Sequence, residues 1–291
     1  MKKVAFIKRS NGKHWVGDGF PVRNIFSYSD IAAEMSPFLL MDYAGPVNFP
    51  PTNKKLGVGQ HPHRGFETVT IVYHGGVAHQ DSSGGGGSIG PGDVQWMTAG
   101  SGVLHEEFHS PEFAATGGDF EMVQLWVNLP AKDKMSTPGY QGILNNDIPE
   151  IALPNAAGSL RLITGEYDKL QGPARTFTPM NVWDVRAKAK GEIEFNLPAG
   201  HTCALFVLEG KLTVSQAHTV TSAELVVMER AESRLVITAE KETTFLVLSG
   251  EPINEPIVGR GPFVMNSRQE ITQAIEDFQS GRFGKIEHTI N

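Results

Sequence analysis

Six of the ten histidines fall between His61 and His109, and the sharpest grouping among them is His61-Pro62-His63, just ahead of a run of strand-forming residues. On an extended chain, residues i and i+2 project to the same face, so two imidazoles spaced this way can chelate one ion. The proline between them favours extended geometry at His61. His105 and Glu107 repeat the spacing 42 residues after His63. Between the pairs lie a hairpin pattern and a turn-rich stretch, Gly90-Pro91-Gly92-Asp93, that would return the chain beside the first pair. Three neutral imidazoles and one carboxylate suit Fe(II), Ni(II), Mn(II), Cu(II) or Zn(II). Four protein ligands leave up to two positions of an octahedral ion open, as activation of a substrate or of O2 requires. An isolated His-x-His is more often a surface strand or a satisfied polar pair. The second pair at the same spacing is what points to a metal site.

Several neighbours have two readings. Arg64 and Glu67 follow His63 closely and would orient a ligand or balance its charge, with a plain salt bridge as the alternative for each. Glu67, four residues beyond His63, is also a candidate fifth ligand. Gln124 interrupts an apolar run, so it either lines a pocket or is a satisfied core amide. His79, with Asp81 two residues on, is a weaker pair of the same spacing and reads as a hairpin-end hydrogen-bonding group. His74 and His109 precede turn residues and read as loop histidines, while Glu106 should face away from Glu107 and out of the site. His14, His201, His218 and His288 are scattered and form no pattern.

The elements that must hold these residues are short strands. Gly (32) and Pro (18) separate runs rich in Val, Ile, Phe and Thr, the pattern of many antiparallel strands joined by turns. Residues 67–73, 120–129, 204–208, 211–215, 224–228, 234–238 and 243–248 are predicted strands, and residues 1–9 read as a first strand, not as a secretory signal. The Gly84–Gly87 run reads as a hairpin tip; no Lys-Ser/Thr follows it, which excludes a phosphate loop. Residues 130–154 are turn-rich and form the candidate interdomain connection, giving domains at 1–137 and 138–291. The second half repeats the first weakly. Setting Gly210 on Gly75 aligns 202–208 with 67–73, and a similar overlay sets 224–228 on 93–97. One helix is predicted at about 267–280: Ser267 and Glu270 make a capping box, Ile271, Ala274, Ile275 and Phe278 form an apolar stripe, and Gly281 ends it. That stripe should pack against a barrel wall.

Composition narrows the class further. At 291 residues, with 40% hydrophobic and 20% charged residues, the chain can bury two cores. A net charge of −7 and the absence of a basic stripe exclude direct nucleic-acid binding. No apolar run is long enough to span a bilayer. The lone Cys203 allows no internal disulfide and no thiolate cage, which fits a reducing, cytoplasmic compartment.

His61-Pro62-His63-Arg64-Gly65-Phe66-Glu67-Thr68 and Pro91-Gly92-Asp93-Val94-Gln95-Trp96-Met97-Thr98-Ala99-Gly100 closely resemble signature segments of pirin, a branch of the cupin superfamily. The resemblance continues in Gly102-Val103-Leu104-His105-Glu106-Glu107, Leu125-Trp126-Val127-Asn128-Leu129 and Gly261-Pro262-Phe263-Val264-Met265-Asn266. It implies an all-β bicupin: two antiparallel jelly-roll barrels with a short C-terminal helix. It also implies a metal in the N-terminal barrel, ligated by His61, His63, His105 and Glu107, with Glu67 outside the ligand set. The C-terminal barrel lacks ligands: the overlay puts Asn196 and Pro198 at the positions of His61 and His63, and Val236 and Thr238 at those of His105 and Glu107.

The resemblance further implies quercetin 2,3-dioxygenase activity, with one divalent metal, Fe(II) first and Ni, Mn, Cu or Zn as alternatives. A flavonol or other small aromatic substrate would meet O2 there. Its 3-hydroxyl proton would pass to Glu107, the one carboxylate in the ligand set, if that group loosens from the metal, and the ring would open with loss of carbon monoxide. A different class is also implied by the family: a metal-dependent redox-sensing module that regulates protein partners such as transcription factors. In either reading the chain is expected to be a monomer. The blandest reading is a metal-free structural bicupin.

Overall fold

The computed structural model describes residues 1–10 and 12–287; His288 lies outside them. All the predicted strands form, with two short helices, Ala32–Met35 and Pro111–Thr116, in addition to the C-terminal one, Arg268–Gln279. Each of two compact units is a jelly-roll sandwich of antiparallel sheets, none of which closes on itself into a hydrogen-bonded barrel.

The unit that carries the histidine pairs comprises Gly12–Asp30, Phe38–Asn145 and Ile253–Asn291. Its larger sheet runs, in spatial order, Gly139–Ile143, Val94–Thr98, Phe66–His74, Gly118–Asn128, Phe38–Phe49, Phe20–Phe26 and His14–Val16. The smaller sheet runs Gly57–His63, Val103–His109, Val77–Asp81 and Gly86–Ile89. Their inner faces meet in a cluster of Phe20, Phe49, Val72, Val77, Phe113, Phe120 and Met122. Gly75, at φ 81°, makes the turn between the two sheets, and a Cβ there would come within 2.8 Å of the Phe120 ring. His109 is not a loop residue. It ends its strand buried, its Nε2 2.9 Å from the Gly19 carbonyl and its ring against Phe49 and Phe120.

The second unit, Met1–Asn11, Ile31–Pro37 and Asn146–Pro252, repeats this plan. A seven-stranded sheet begins with Val4–Arg9 paired to Glu224–Met228, and a four-stranded sheet holds Glu192–Asn196, Arg234–Ala239, Lys211–Val214 and His218–Thr221. The units therefore do not divide at residues 137/138. Gly139–Ile143, expected beyond the boundary, is an edge strand on Val94–Thr98, while the first strand of the chain joins the second unit. Pairing of open backbone N–H and C=O groups decides which unit a strand belongs to, whatever its place in the sequence.

The C-terminal helix also lies with the histidine-bearing unit. Ser267 Oγ caps it by accepting from Glu270 N–H. Ile271 and Ala274 pack on Phe263, Met265 and Phe283, while Phe278 stays partly exposed at the rim. The helix delivers Asp277 to Arg64, whose Nη1 donates to Oδ2 at 2.8 Å in a buried ion pair. Arg64 Nε donates to the Ser101 carbonyl at 2.6 Å, so this residue braces the end of the Gly57–His63 strand through a salt bridge. Removing one partner of a buried pair strands the other charge. Asp277→Ala is expected to cost about 3–5 kcal/mol, whereas Arg282→Ala, which removes only the exposed partner of the same carboxylate, should cost less than about 1 kcal/mol. Equilibrium urea unfolding of the two variants provides the comparison.

Candidate metal centre

The two strands that bear the histidine pairs are antiparallel neighbours, with His105 opposite His61 and Val103 opposite His63. Alternation then sends all three imidazoles to one face. Ring centroids lie 4.1 Å apart for His61 and His105, 4.7 Å for His63 and His105, and 4.9 Å for His61 and His63. One nitrogen from each of the three falls within 4.8 Å of the others. His63 and His105 are buried and His61 is half-buried.

The ring nitrogens are set up for ligation. His61 Nδ1 lies 2.9 Å from the Gly59 carbonyl and His63 Nδ1 3.4 Å from the Pro262 carbonyl. A carbonyl only accepts, so in the neutral rings Nδ1 carries the proton and Nε2 keeps its lone pair. His105 Nε2 is buried with no hydrogen-bond partner among the described residues. Burial, reinforced by the neighbouring imidazoles, holds His63 and His105 well below the ordinary histidine range, so both rings are neutral near pH 7, as metal ligation requires. Three imidazoles with free lone pairs beside a carboxylate fit a divalent transition metal.

The carboxylate is offset from the triad. Between His105 and Glu107 the ladder shifts register, and Glu107 stands opposite Val58. Its Oε1 accepts from Gln95 Nε2 at 3.1 Å and lies 3.4 Å from Thr70 Oγ1. Within the 4.8 Å limit it groups with His105 and His79, not with the His61–His63–His105 triad. His79 is thus a buried member of the same cluster and not a hairpin-end group. Its one sequence signal was the His-x-Asp spacing with Asp81, which borders the glycine run. Gln95 and the half-buried aromatics Trp126 and Tyr140, centred 5.2 Å from the rings of His63 and His79 respectively, had no such signal.

The remaining candidates divide by strand face. Gln124 Oε1 accepts from Thr70 Oγ1 at 2.9 Å, so its amide has a partner inside the strand layer. Glu106 turns outward to Lys55 at 3.0 Å, as alternation requires. Glu67 is an odd-numbered neighbour of Thr70 on Phe66–His74, so it points to the opposite face of that strand, away from Glu107. There its Oε1 accepts from Thr98 at 2.7 Å.

In the second unit the ligand positions are apolar, but not at the residues the sequence overlay suggested. With Gly210 on Gly75, the pairing of Leu212 with Ala239 matches that of Val77 with His109. This register puts Phe195 opposite Leu235, as His61 is opposite His105. Phe195, Leu197, Leu235 and Ile237 therefore replace His61, His63, His105 and Glu107, and all four belong to the core. Asn196, Pro198, Val236 and Thr238 are one residue out, and a one-residue slip reverses the face of a strand.

Comparison with known proteins agrees with this architecture. The pirin family model matches residues 19–127, and that of the pirin C-terminal cupin domain matches residues 182–284. A Pseudomonas aeruginosa protein named as a candidate quercetin 2,3-dioxygenase is 59% identical over 97% of this chain and 99% of its own length. Pirin-like protein 2 of Arabidopsis thaliana is 37% identical over 92% of this chain and 81% of its own. The crystal structure of a quercetin 2,3-dioxygenase from Acinetobacter baumannii is 55% identical, with a TM-score of 0.96, covering 99% of this chain and 100% of that one.

The burial of Glu67 has a measurable consequence. Desolvation, only partly offset by side-chain hydrogen bonds from Thr98 and Trp96, pushes its carboxyl from 4.5 up to about 7. Between those values the folded chain holds a proton that the unfolded chain releases, so the contribution of this group to stability falls as pH rises through the window. Glu67→Gln imitates the protonated form. It is expected to stabilise the fold above the window by up to about 3 kcal/mol and to be neutral below it. Unfolding midpoints measured across the pH range test this.

Proposed function

The chain belongs to the pirin family, with two cupin domains, and on that premise we propose that it is a metal-dependent dioxygenase that opens the ring of quercetin-like flavonols with O2. The observation that carries this reading is the convergence of His61, His63 and His105 with the buried, unpartnered Nε2 of His105 at its centre. In this reading those three imidazoles and Glu107 hold one divalent ion, Fe(II) foremost. When bound, the ion supplies the Lewis acidity that polarises the flavonol and the open positions that bring it together with O2. The names borne by the Pseudomonas and Acinetobacter relatives support the substrate class.

The chain's own groups have definite tasks. The Gly59 and Pro262 carbonyls keep His61 and His63 in the ligating tautomer. Glu107, which accepts from Gln95 Nε2, would take the proton of the flavonol 3-hydroxyl on loosening from the ligand set. Trp126, stacked on Phe66 at 4.2 Å beside His63, offers a planar wall for an aromatic ring.

Metal-loaded protein is expected to consume quercetin under air and not under nitrogen, followed by loss of flavonol absorbance. His63→Ala should bind substoichiometric metal and lose turnover by at least about 100-fold. Stoichiometric metal with no flavonol loss under air sinks the enzyme reading in favour of a metal-responsive binding module. Failure of the wild type to bind metal sinks both.

A further inference from the structure

Behind His105 lies a buried chain of polar groups that the proposed reaction does not use. His79 Nε2 is 3.0 Å from Asp81 Oδ2, and both side chains are fully buried. The other oxygen of Asp81 accepts from Ser83 N–H at 2.8 Å, Ser83 Oγ at 2.6 Å and Gly85 N–H at 3.0 Å. This fixes the carboxylate in place. The glycine run makes room for it, since a Cβ at Gly85 would come within 2.5 Å of Asp81 Oδ2. Tyr140 stacks on the His79 ring at 5.2 Å and 17°.

The hydrogen bonds leave one assignment of protons. A carboxylate only accepts, so His79 carries its hydrogen on Nε2 and a lone pair on Nδ1. Gln95 gives the same answer independently: its amide Nε2, which only donates, lies 3.1 Å from His79 Nδ1. That same Nδ1 is 3.4 Å from Nδ1 of His105. Two facing lone pairs would repel, so His105 presents N–H on Nδ1. Its lone pair is then on Nε2, the buried atom that has no protein partner.

We propose that Asp81 and His79 form an outer relay that fixes the tautomer of His105 and aims its Nε2 lone pair into the metal centre. The carbonyls of Gly59 and Pro262 do this for His61 and His63; His105 is set by a second imidazole, itself set by a carboxylate. His79 and Asp81 are positioning residues. The proposal rests on the reading of His105 as a ligand, and it deepens that reading by accounting for a histidine outside the ligand set.

The test has one arm that needs no variant. Long-range proton–nitrogen correlation spectra of the nitrogen-15-labelled, metal-free wild type should show His105 as the Nδ1–H tautomer; an Nε2–H tautomer overturns the relay. In Asp81→Asn and His79→Phe the His105 signal should shift toward a mixture of tautomers, and Ni(II) affinity, measured by competition with a chelator, should fall about 10–100-fold. Reduced affinity with an unaltered tautomer indicates loose packing alone and also overturns the proposal, as does affinity equal to that of the wild type. His63→Ala separates the two readings. If it binds Ni(II) as tightly as the wild type, the metal centre itself is misplaced; if it loses the metal while the relay variants do not, only the relay fails.

Discussion

Everything at the centre depends on one antiparallel register, the pairing of His105 with His61 on adjacent strands. Side chains alternate along a strand, so this pairing places His61, His63 and His105 on the same inner face and sends Glu106 outward. Any odd-numbered shift would present Pro62 and Leu104 instead. The register is pinned from outside the strands as well. Arg64, immediately after the His-Pro-His segment, is clamped between the Ser101 carbonyl and Asp277. The larger sheet supplies the inner aromatic cluster on which the smaller sheet rests.

Much of this was legible in the sequence, for identifiable reasons. Period-two spacing within a strand is local, so the two residue pairs brought together on neighbouring strands announced themselves in three residues each. The capping box at Ser267 is likewise local and appears as expected. What was not legible is what depends on distant partners. Nothing near His79 in the chain shows that Gln95 and His105 surround it. Nothing near Glu67 shows which face of its strand looks toward the ligands. The overlay of the two halves failed by one residue at Asn196 and Val236 because the connections between strands differ in length, and only ladder pairing restores the phase. The assignment of the C-terminal helix to the second unit followed chain order, whereas Ile271 and Ala274 are buried against Phe263, Met265 and Phe283.

The two units show what a buried polar cluster demands. In one, Phe195, Leu197, Leu235 and Ile237 fill the inner face and need only close contact. In the other, the same positions are imidazoles and a carboxylate, and a buried polar atom without a partner costs about 1–3 kcal/mol. The chain meets that demand with Gln95, Thr70, Gln124, His79 and Asp81, a network in which nearly every donor has an acceptor. Within this network His105 Nε2 is buried with no hydrogen-bond partner among the described residues.

The salt bridge between Arg64 and Asp277 also has a consequence for biosynthesis. Its partners are separated by 213 positions, so the brace on the histidine-bearing strand cannot form until the segment around Asp277 has left the ribosome. The second unit draws on no residue after Pro252 and is complete earlier. Domains generally fold as units while synthesis proceeds. The unit without the histidine cluster can therefore be finished while the histidine-bearing unit still waits for its helix. Until then the nascent chain holds three imidazoles on an unbraced strand pair.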